Sequence, residues 1–409
     1  MKCRHCSHPL TYQIADLGYA PPSNAYLTAD QLHAPEVTFP LRVLICESCW
    51  LAQTEDFNAA DEVFSKEYAY FSSTSTSWLQ HAKSYCAMIQ NKLGLGSDSF
   101  VVEIAANDGY LLRNFVEAKI PCLGVEPTES TALAAEKIGV PVWRRFFGES
   151  AAETLIEKWQ KADLICGNNV YAHVPDINDF TRGLAVALKK GGTITLEFPS
   201  LMSLMQDFQF DTIYHEHFSY LSLTSARRIF ASCGLRIFDV ERLPTHGGSY
   251  RVYGCHDDDL RPDQPIVQAL LDEEQEFGLL SIDFYSNFQH EIEKIKDDLL
   301  LFLLNAKKEG RKVAAYGAAA KGNTFMNFAG IRSDLIAFVT DAAPSKQGKW
   351  MPGNHLPILP PAELLAYRPD YVVIFPWNIA PEIVQQQAAI RDYGGKFVIA
   401  IPEMKVLAS

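Results

Sequence analysis

The run Tyr214-His215-Glu216-His217 sets a phenol, two imidazoles and a carboxylate in four consecutive residues. A neutral imidazole, with a reference pKa of about 6.5, takes up a proton near neutral pH. A carboxylate beside it can orient the ring and stabilise the imidazolium, and a phenol can donate to an oxygen that is gaining negative charge. Together these groups suit removal of a proton from a carbon next to a carbonyl, with stabilisation of the enolate that results. The spacing does not choose the base. In a strand His215 and His217 share a face, whereas in a helical turn Tyr214 and His217 do. Two plainer readings stand beside this one: a second metal site, although the H-E-x-x-H spacing is not met, and a polar turn whose histidines are satisfied locally.

An enolate needs an electrophile, and the chain offers a place for one. After the apolar run FVVEI comes Glu103-Ile-Ala105-Ala-Asn107-Asp108-Gly109. A dinucleotide fold would show G-x-G-x-x-G here, so that backbone could approach a pyrophosphate. An acidic, glycine-poor turn instead suits a cationic or zwitterionic ligand such as S-adenosylmethionine. The next apolar run ends in Gly124-Val-Glu126, whose carboxylate can accept both ribose hydroxyls across the carboxyl ends of the strands. A later run, ICGNNVYAHVPD, brings Asn168, Asn169 and His173 to the same rim. A strand-end glutamate is often only a helix-cap acceptor; the reading rests on the order of the signals.

Two further stretches are candidate substrate contacts. Tyr316-Gly317-Ala-Ala-Ala-Lys321-Gly322-Asn323-Thr324 follows an apolar run and leads into a helix. Backbone amides at a helix start and one lysine form an anion site that suits a diphosphate. Asp341, Trp377 and Asn378 fall on the same predicted rim, and a purely structural helix start is the alternative. The run THGGSYRVYG offers His246, Ser249 and Arg251 for sugar or phosphate contacts, or is an ordinary approach to a hairpin. His215 is placed among the substrate contacts as well.

At the N-terminus, Cys3/Cys6 and Cys46/Cys49 form two C-x-x-C pairs. Two such turns give the tetrahedral S₄ shell of structural zinc, with Zn–S near ~2.3 Å. His5 and His8 lie near enough in sequence to substitute. A module this small cannot bury much core, so the metal supplies folding free energy.

These residues must be carried by several domains, since 409 residues exceed one hydrophobic core. Residues 1–64 are turn-rich and read as the zinc-binding domain. A helix is predicted over Ser73–Leu93, stopped by Gly94. Strand–helix alternation over 65–256 predicts a doubly wound parallel sheet, a Rossmann-like class I methyltransferase domain. A charged helical stretch at about 264–308, interrupted near Gly278, precedes a second alternation, giving a second Rossmann-like domain over 257–409 that would hold the nucleotide sugar. The fold class is α/β.

The runs EIAANDGYLL, GVEP, GNNVYAHVPD, IYHEHFSYLS and YGAAAKGNT, with the zinc knuckles, resemble the sugar C-methyltransferases that act on nucleotide-linked 4-keto-deoxysugars. The resemblance spans essentially the whole chain. It implies transfer of methyl from S-adenosylmethionine, leaving S-adenosylhomocysteine, to C3 of a 4-keto-6-deoxy sugar linked to dTDP or GDP. It implies that His217 is the base, that Tyr214 and Glu216 are its essential neighbours, and that His173 and Tyr68 line the same pocket. Family members more usually carry Gly where this chain has Ala105, and the extra methyl is expected to crowd the methionine part of the cofactor.

C5 methylation is mechanistically equivalent, because both carbons flank one ketone. An O- or N-methyltransferase needs no enolate-forming cluster, and a zinc-stabilised scaffold without activity would have lost it. The formal net charge of −13, without a Lys/Arg cluster, argues against nucleic acid as a partner. Apolar residues make up 48% and charged residues 21%, ordinary for a soluble globular chain. No apolar run reaches the ~18–20 residues that span a bilayer, so no membrane partner is expected. The start MKCRHC lacks the apolar stretch of a signal peptide, and the other cysteines show no pairing pattern. A cytoplasmic enzyme is expected, with a monomer as the working state and the oligomeric state left open.

Overall fold

The architecture is taken from a computed structural model of the chain, which describes residues 1–57 and 71–407. Tyr68 and the expected boundary between residues 64 and 65 therefore lie outside the described residues.

The N-terminal module is an antiparallel meander of β1 (Tyr12–Ala20), β2 (Phe39–Ile45) and β3 (Ala52–Thr54). Strand β2 shows why: Leu41, Val43 and Ile45 alternate with Pro40, Arg42 and Leu44, so one face is buried and the other stays nearer solvent.

The helix Thr76–Leu93 follows, starting three residues later than predicted. Ser75 caps it by accepting from the Trp78 N–H, and Gly94 stops it at a φ of +63°. The middle sheet then runs through β4 (Val101–Ile104), β5 (Cys122–Val125), β6 (Val142–Trp143), β7 (Ala162–Asn168) and β8 (Leu188–Pro199). All four residues of β4 are buried, as a parallel strand covered on both faces must be. The short β9 (Ser219–Tyr220) leaves this sheet, and β10 (Leu235–Leu243) and β11 (Ser249–His256) return to it. The strand order is β10-β11-β8-β7-β4-β5-β6, parallel from β8 to β6 and antiparallel at β10 and β11.

Helix Pro265–Phe277 opens on a proline and ends at Gly278, whose φ of +105° and close approach to Phe284 admit only glycine. Helix Phe288–Lys308 leads to the third sheet. Its strands are β12 (Val313–Tyr316), β13 (Val339–Thr340), β14 (Ile358–Leu359), β15 (Tyr371–Ile374), β16 (Lys396–Ile399) and β17 (Lys405–Val406), ordered β14-β13-β12-β15-β16-β17. All of its pairs are parallel except β16–β17.

One core joins what sequence pattern separates. Ile14, Leu41 and Ile45 of the zinc module, Phe210 and Ile213, Ile292 and Leu299 of the long helix, and Ala315 and Phe325 of the third domain belong to a single buried cluster. Each fully buried Leu, Ile or Phe contributes about 1.5–3 kcal/mol of apolar transfer free energy, so this junction is a principal bond between the modules. Strand β9 seals it by pairing with β3, Ala52 opposite Tyr220 and Gln53 opposite Ser219. The Tyr214–His217 segment thus lies where all three modules meet.

Candidate active site

A turn of 3-10 helix, Phe210–Thr212, delivers the chain into this junction, and β9 carries it out. Between them the His217 N–H donates to the Tyr214 carbonyl at 2.9 Å, closing a turn that brings the two rings together, tilted by 35° with centroids 3.9 Å apart. The His217 Nδ1–H donates to the Thr212 carbonyl at 3.0 Å. The His173 Nδ1–H donates to the Glu216 carbonyl at 2.8 Å. A carbonyl only accepts, so Nε2 is the lone-pair nitrogen of both neutral rings. The rings meet edge to face at 4.6 Å.

Burial holds His217 well below the ordinary imidazole range, and the nearby His173, His246 and Lys321 lower it further. Burial likewise brings His173 down to about 4. Both are neutral at physiological pH, as a proton acceptor must be. His215 is turned away from them: its Nε2–H donates to the Pro40 carbonyl at 3.2 Å, and its ring meets Phe39 edge-on. The two histidines that sequence leaves as alternatives occupy different environments.

Glu216 corrects an expectation. Its carboxylate does not orient the adjacent ring; it accepts from the Asn24 amide at 2.7 Å, and burial pushes its pKa up to about 7. The ring of His217 is oriented by the Thr212 carbonyl instead, because the turn directs neighbouring side chains apart.

On the third domain's side, Lys321 Nζ donates to Asn378 Oδ1 at 3.2 Å and to the His246 carbonyl at 3.5 Å, and lies 4.6 Å from the centre of the Trp377 ring. Trp377 Nε1–H donates to Asp211 at 2.8 Å. Burial raises Asp211 to about 6, opposed by the charge of Lys321. Asp211 and Asn24 are site residues that sequence reasoning misses. Asp211 stands six positions before His217, and that proximity is a usable signal; Asn24 carries no motif.

Four other candidates are corrected. Ser249 is 2% exposed and donates to the Thr245 carbonyl. Arg251 is 4% exposed and is consumed by Glu197 at 2.8 Å and Glu241 at 2.9 Å. Thr324 donates to the Ile213 carbonyl at 2.9 Å, and Asn323 accepts from Asn327 in a fully buried position. These four brace the fold from the packed interior, although Asn323 keeps an Nδ2 with no hydrogen-bond partner among the described residues. His246 remains at the cleft, where it takes a hydrogen bond at 2.8 Å from the Asn169 amide.

The methyl-donor candidates gather at the carboxyl ends of β4, β5 and β7. Glu126 accepts from the Asn107 N–H at 2.9 Å and the Thr128 N–H at 3.0 Å. Asp108 and Asn107 accept from the Ser73 and Ser72 N–H groups at 3.0 and 2.9 Å, drawing the residues before helix Thr76–Leu93 over the loop. Glu103 is wholly buried inside β4, with its pKa pushed well above the carboxylate range by burial and by Asp108 and Glu126. Ala105 and Asn107 have φ of +58° and +49°. The cost of the alanine therefore lies in backbone conformation, about 1–2 kcal/mol, which is where glycine would be neutral. At the tip of β7 the Asn168 amide is 8% exposed, and neither its nitrogen nor its oxygen has a partner among the described residues. Such a group calls for a polar ligand.

The four Sγ atoms of Cys3, Cys6, Cys46 and Cys49 lie within 4.8 Å of one another, with Cys3–Cys49 and Cys6–Cys46 at 3.5 Å. A tetrahedral zinc with ~2.3 Å bonds needs sulfurs about 3.8 Å apart, so the set fits. Both knuckles have one design: Ser7 N–H donates to the Cys3 carbonyl at 2.9 Å and Trp50 N–H to the Cys46 carbonyl at 2.8 Å, with Ser7 and Trp50 each at a φ of +61°. His5 bonds to Asn178 and His8 is exposed, so neither completes the shell.

Residues 3–64 match a zinc binding domain, residues 78–240 a methyltransferase domain, and residues 244–402 the C-methyltransferase C-terminal domain. The C-methyltransferase NovU of Streptomyces niveus is 32% identical over 408 residues, covering 100% of this chain and 97% of that protein. Among solved structures, magnesium protoporphyrin IX methyltransferase from Synechocystis PCC 6803 with bound SAM aligns at 14% identity over 44% of this chain and 79% of that one, with a TM-score of 0.34. A SAM dependent methyltransferase from Archaeoglobus fulgidus aligns at 14% identity over 42% and 93%, with a TM-score of 0.33. Full-length identity to NovU, with the zinc, methyltransferase and C-terminal domains all present in order, places this chain in the C-methyltransferase family.

Proposed function

We propose that the protein moves a methyl group from S-adenosylmethionine to C3 of a nucleotide-linked 4-keto-6-deoxy sugar. The observation that carries this reading is the His173–His217 pair, whose Nδ1–H groups are both tied to carbonyls so that each ring has a lone pair on Nε2. An O- or N-methyltransferase of small molecules has no need of a carbon base fixed in this way.

S-adenosylmethionine supplies the electrophilic methyl and leaves as S-adenosylhomocysteine. Glu126 and the Asn168 amide would hold its polar groups, and the carboxylates of Asp108 and Glu126 favour its cationic centre. Lys321 would meet the diphosphate of the nucleotide sugar, beside Trp377 and Asn378. His217 Nε2 takes the proton from the carbon next to the ketone, the C–H electron pair passes into the enolate, and the Tyr214 phenol donates to the enolate oxygen. The enolate carbon then forms its bond to the methyl. A ring this far below the ordinary imidazole range is a weak base on its own. The anionic diphosphate would offset the charge of Lys321, the smallest of the causes that lower the ring's pKa. Because C3 and C5 flank the same carbonyl, C5 methylation uses the same residues.

Mixing enzyme and candidate sugar nucleotides in heavy water, without methyl donor, tests this directly. Deuterium should enter at C3 with wild-type protein, and His217→Asn should reduce that exchange by about 10²–10⁴-fold while methyl-donor affinity stays within a factor of about two. Near-native exchange in His217→Asn would move the base to another residue, and deuterium at C5 would select that carbon.

A further inference from the structure

We infer that the zinc module is a positioning device for the base: the tetrathiolate knuckle, through Arg4, Gln53 and Thr54, sets the placement of His217 against His173. This rests on the reading of His217 as the proton acceptor and adds what holds it there.

The connection runs through hydrogen bonds. Gln53 Nε2–H donates to the Cys3 sulfur at 3.3 Å, and its Oε1 accepts from the Arg4 N–H at 2.9 Å, so β3 is fastened to the metal shell at Gln53. The next residue, Thr54, donates its hydroxyl to the His217 carbonyl at 2.9 Å and its N–H to the Phe218 carbonyl at 3.2 Å. Arg4 lies between the two cysteines of the first knuckle, and its side chain is 4% exposed. Its guanidinium donates to the Thr54 carbonyl and to the Pro175 carbonyl, both at 2.9 Å, and lies over the Phe218 ring. Pro175 is two residues from His173, whose neighbour Ala172 accepts from the Phe218 N–H at 2.8 Å. One arginine thus ties together the strand next to His217 and the loop that carries His173.

A knuckle of this size has little core of its own, so the metal fixes where Arg4 and Gln53 stand. Misplacement of a catalytic group by about 1 Å costs about 10²-fold in rate. Residues just outside a metal's ligands matter by about 10–100-fold. The zinc here is remote from the reaction, yet the geometry makes turnover depend on it.

The test uses full-length, zinc-loaded protein and four readouts: zinc per chain, methyl-donor Kd, kcat and KM with solvent exchange, and the NMR resonance of the His217 Nδ1 proton, identified by its loss in His217→Asn. Thr54→Val keeps the shape of the side chain and removes the hydroxyl. It should lower kcat and exchange about 10–100-fold and shift the ring proton, with zinc content, donor Kd and KM within about twofold. Thr54→Ser should recover most of the loss. Arg4→Met should behave as Thr54→Val does, and Arg4→Lys should fall between, because an ammonium cannot span both carbonyls. Full exchange and an unmoved ring proton in zinc-replete Thr54→Val and Arg4→Met overturn the inference, as does a loss that tracks donor binding. Should Arg4→Met fail to fold, Thr54→Val decides alone. If His217→Asn itself keeps exchange, the base has been misassigned, and the ring-proton shift in Thr54→Val then settles positioning by itself: a shift upholds it and none rejects it.

Discussion

The loop after β4 and the loop after β12 occupy the same place in two sheets whose central strands run parallel, each leading from a buried strand toward a helix, yet they differ in the charges set around them. Around the first stand the carboxylates of Asp108 and Glu126, with an Asn168 amide that has no hydrogen-bond partner among the described residues. Around the second stand Lys321 and Lys346, the latter paired with Asp341 at 3.4 Å and donating to the Ala318 carbonyl at 2.9 Å, while the Tyr26 hydroxyl donates to the same carbonyl at 2.6 Å. The first loop is strained at Ala105 and Asn107. The second is braced from three directions, with Gly317 pressed against Pro376 and Thr324 bonded to Ile213. Topology alone therefore does not say what a strand-end loop binds; the sign of the charge placed around it does. An acidic rim suits a sulfonium and a basic one a diphosphate.

The sharpest way to break this contrast is to remove its cation. Lys321→Ala should weaken the nucleotide sugar about 10–100-fold in KM while calorimetry finds the methyl-donor Kd unchanged; equal weakening of both ligands would erase the division of labour. The mirror experiment is Glu126→Gln, expected to weaken the methyl donor about tenfold, as for a charge-assisted hydrogen bond worth about 1.5 kcal/mol, with sugar binding intact. A smaller effect sharpens the role of burial at the junction between the loops. Glu216, raised to about 7, keeps a proton in the folded chain that the unfolded chain has already released above about 4.5. Its contribution to stability is thus present at low pH and is lost as pH rises toward 7. Denaturant unfolding of Glu216→Gln should show a flatter slope over pH 4.5–7, and an unchanged slope would mean that the carboxyl is ionised. The least effect belongs to Ala105→Gly, which should raise stability by about 1 kcal/mol through relief of left-handed strain. Destabilisation instead would show that the methyl is packed.

Much of this design is legible in the chain's residue order. The two C-x-x-C turns stand out because a knuckle is local: Cys3 and Cys6, like Cys46 and Cys49, are brought together by one turn of chain. The apolar runs of β4, β5 and β7 are equally plain, because a parallel strand buried on both faces admits little else. The start of helix Thr76–Leu93 shifts by three residues because several Ser and Thr residues compete for the cap and only Ser75 accepts the hydrogen bond. Ser249, Arg251, Asn323 and Thr324 mislead because polar residues beside glycines look the same whether they face a ligand or a neighbouring strand.

The sequence by itself determined the two cysteine knuckles, the succession of α/β modules and the presence of a phenol–imidazole–carboxylate run, since each is written in local runs of residues. Only the tertiary structure decided which way those side chains point. It turned His215 to Pro40 and His217 to Thr212, gave Glu216 to Asn24, and set Thr54 beneath His217 across 163 positions of chain. The physical reason is that the orientation of a buried polar group is fixed by whichever backbone carbonyl or amide folding brings within about 3 Å, and those partners come from distant segments that share no pattern with it.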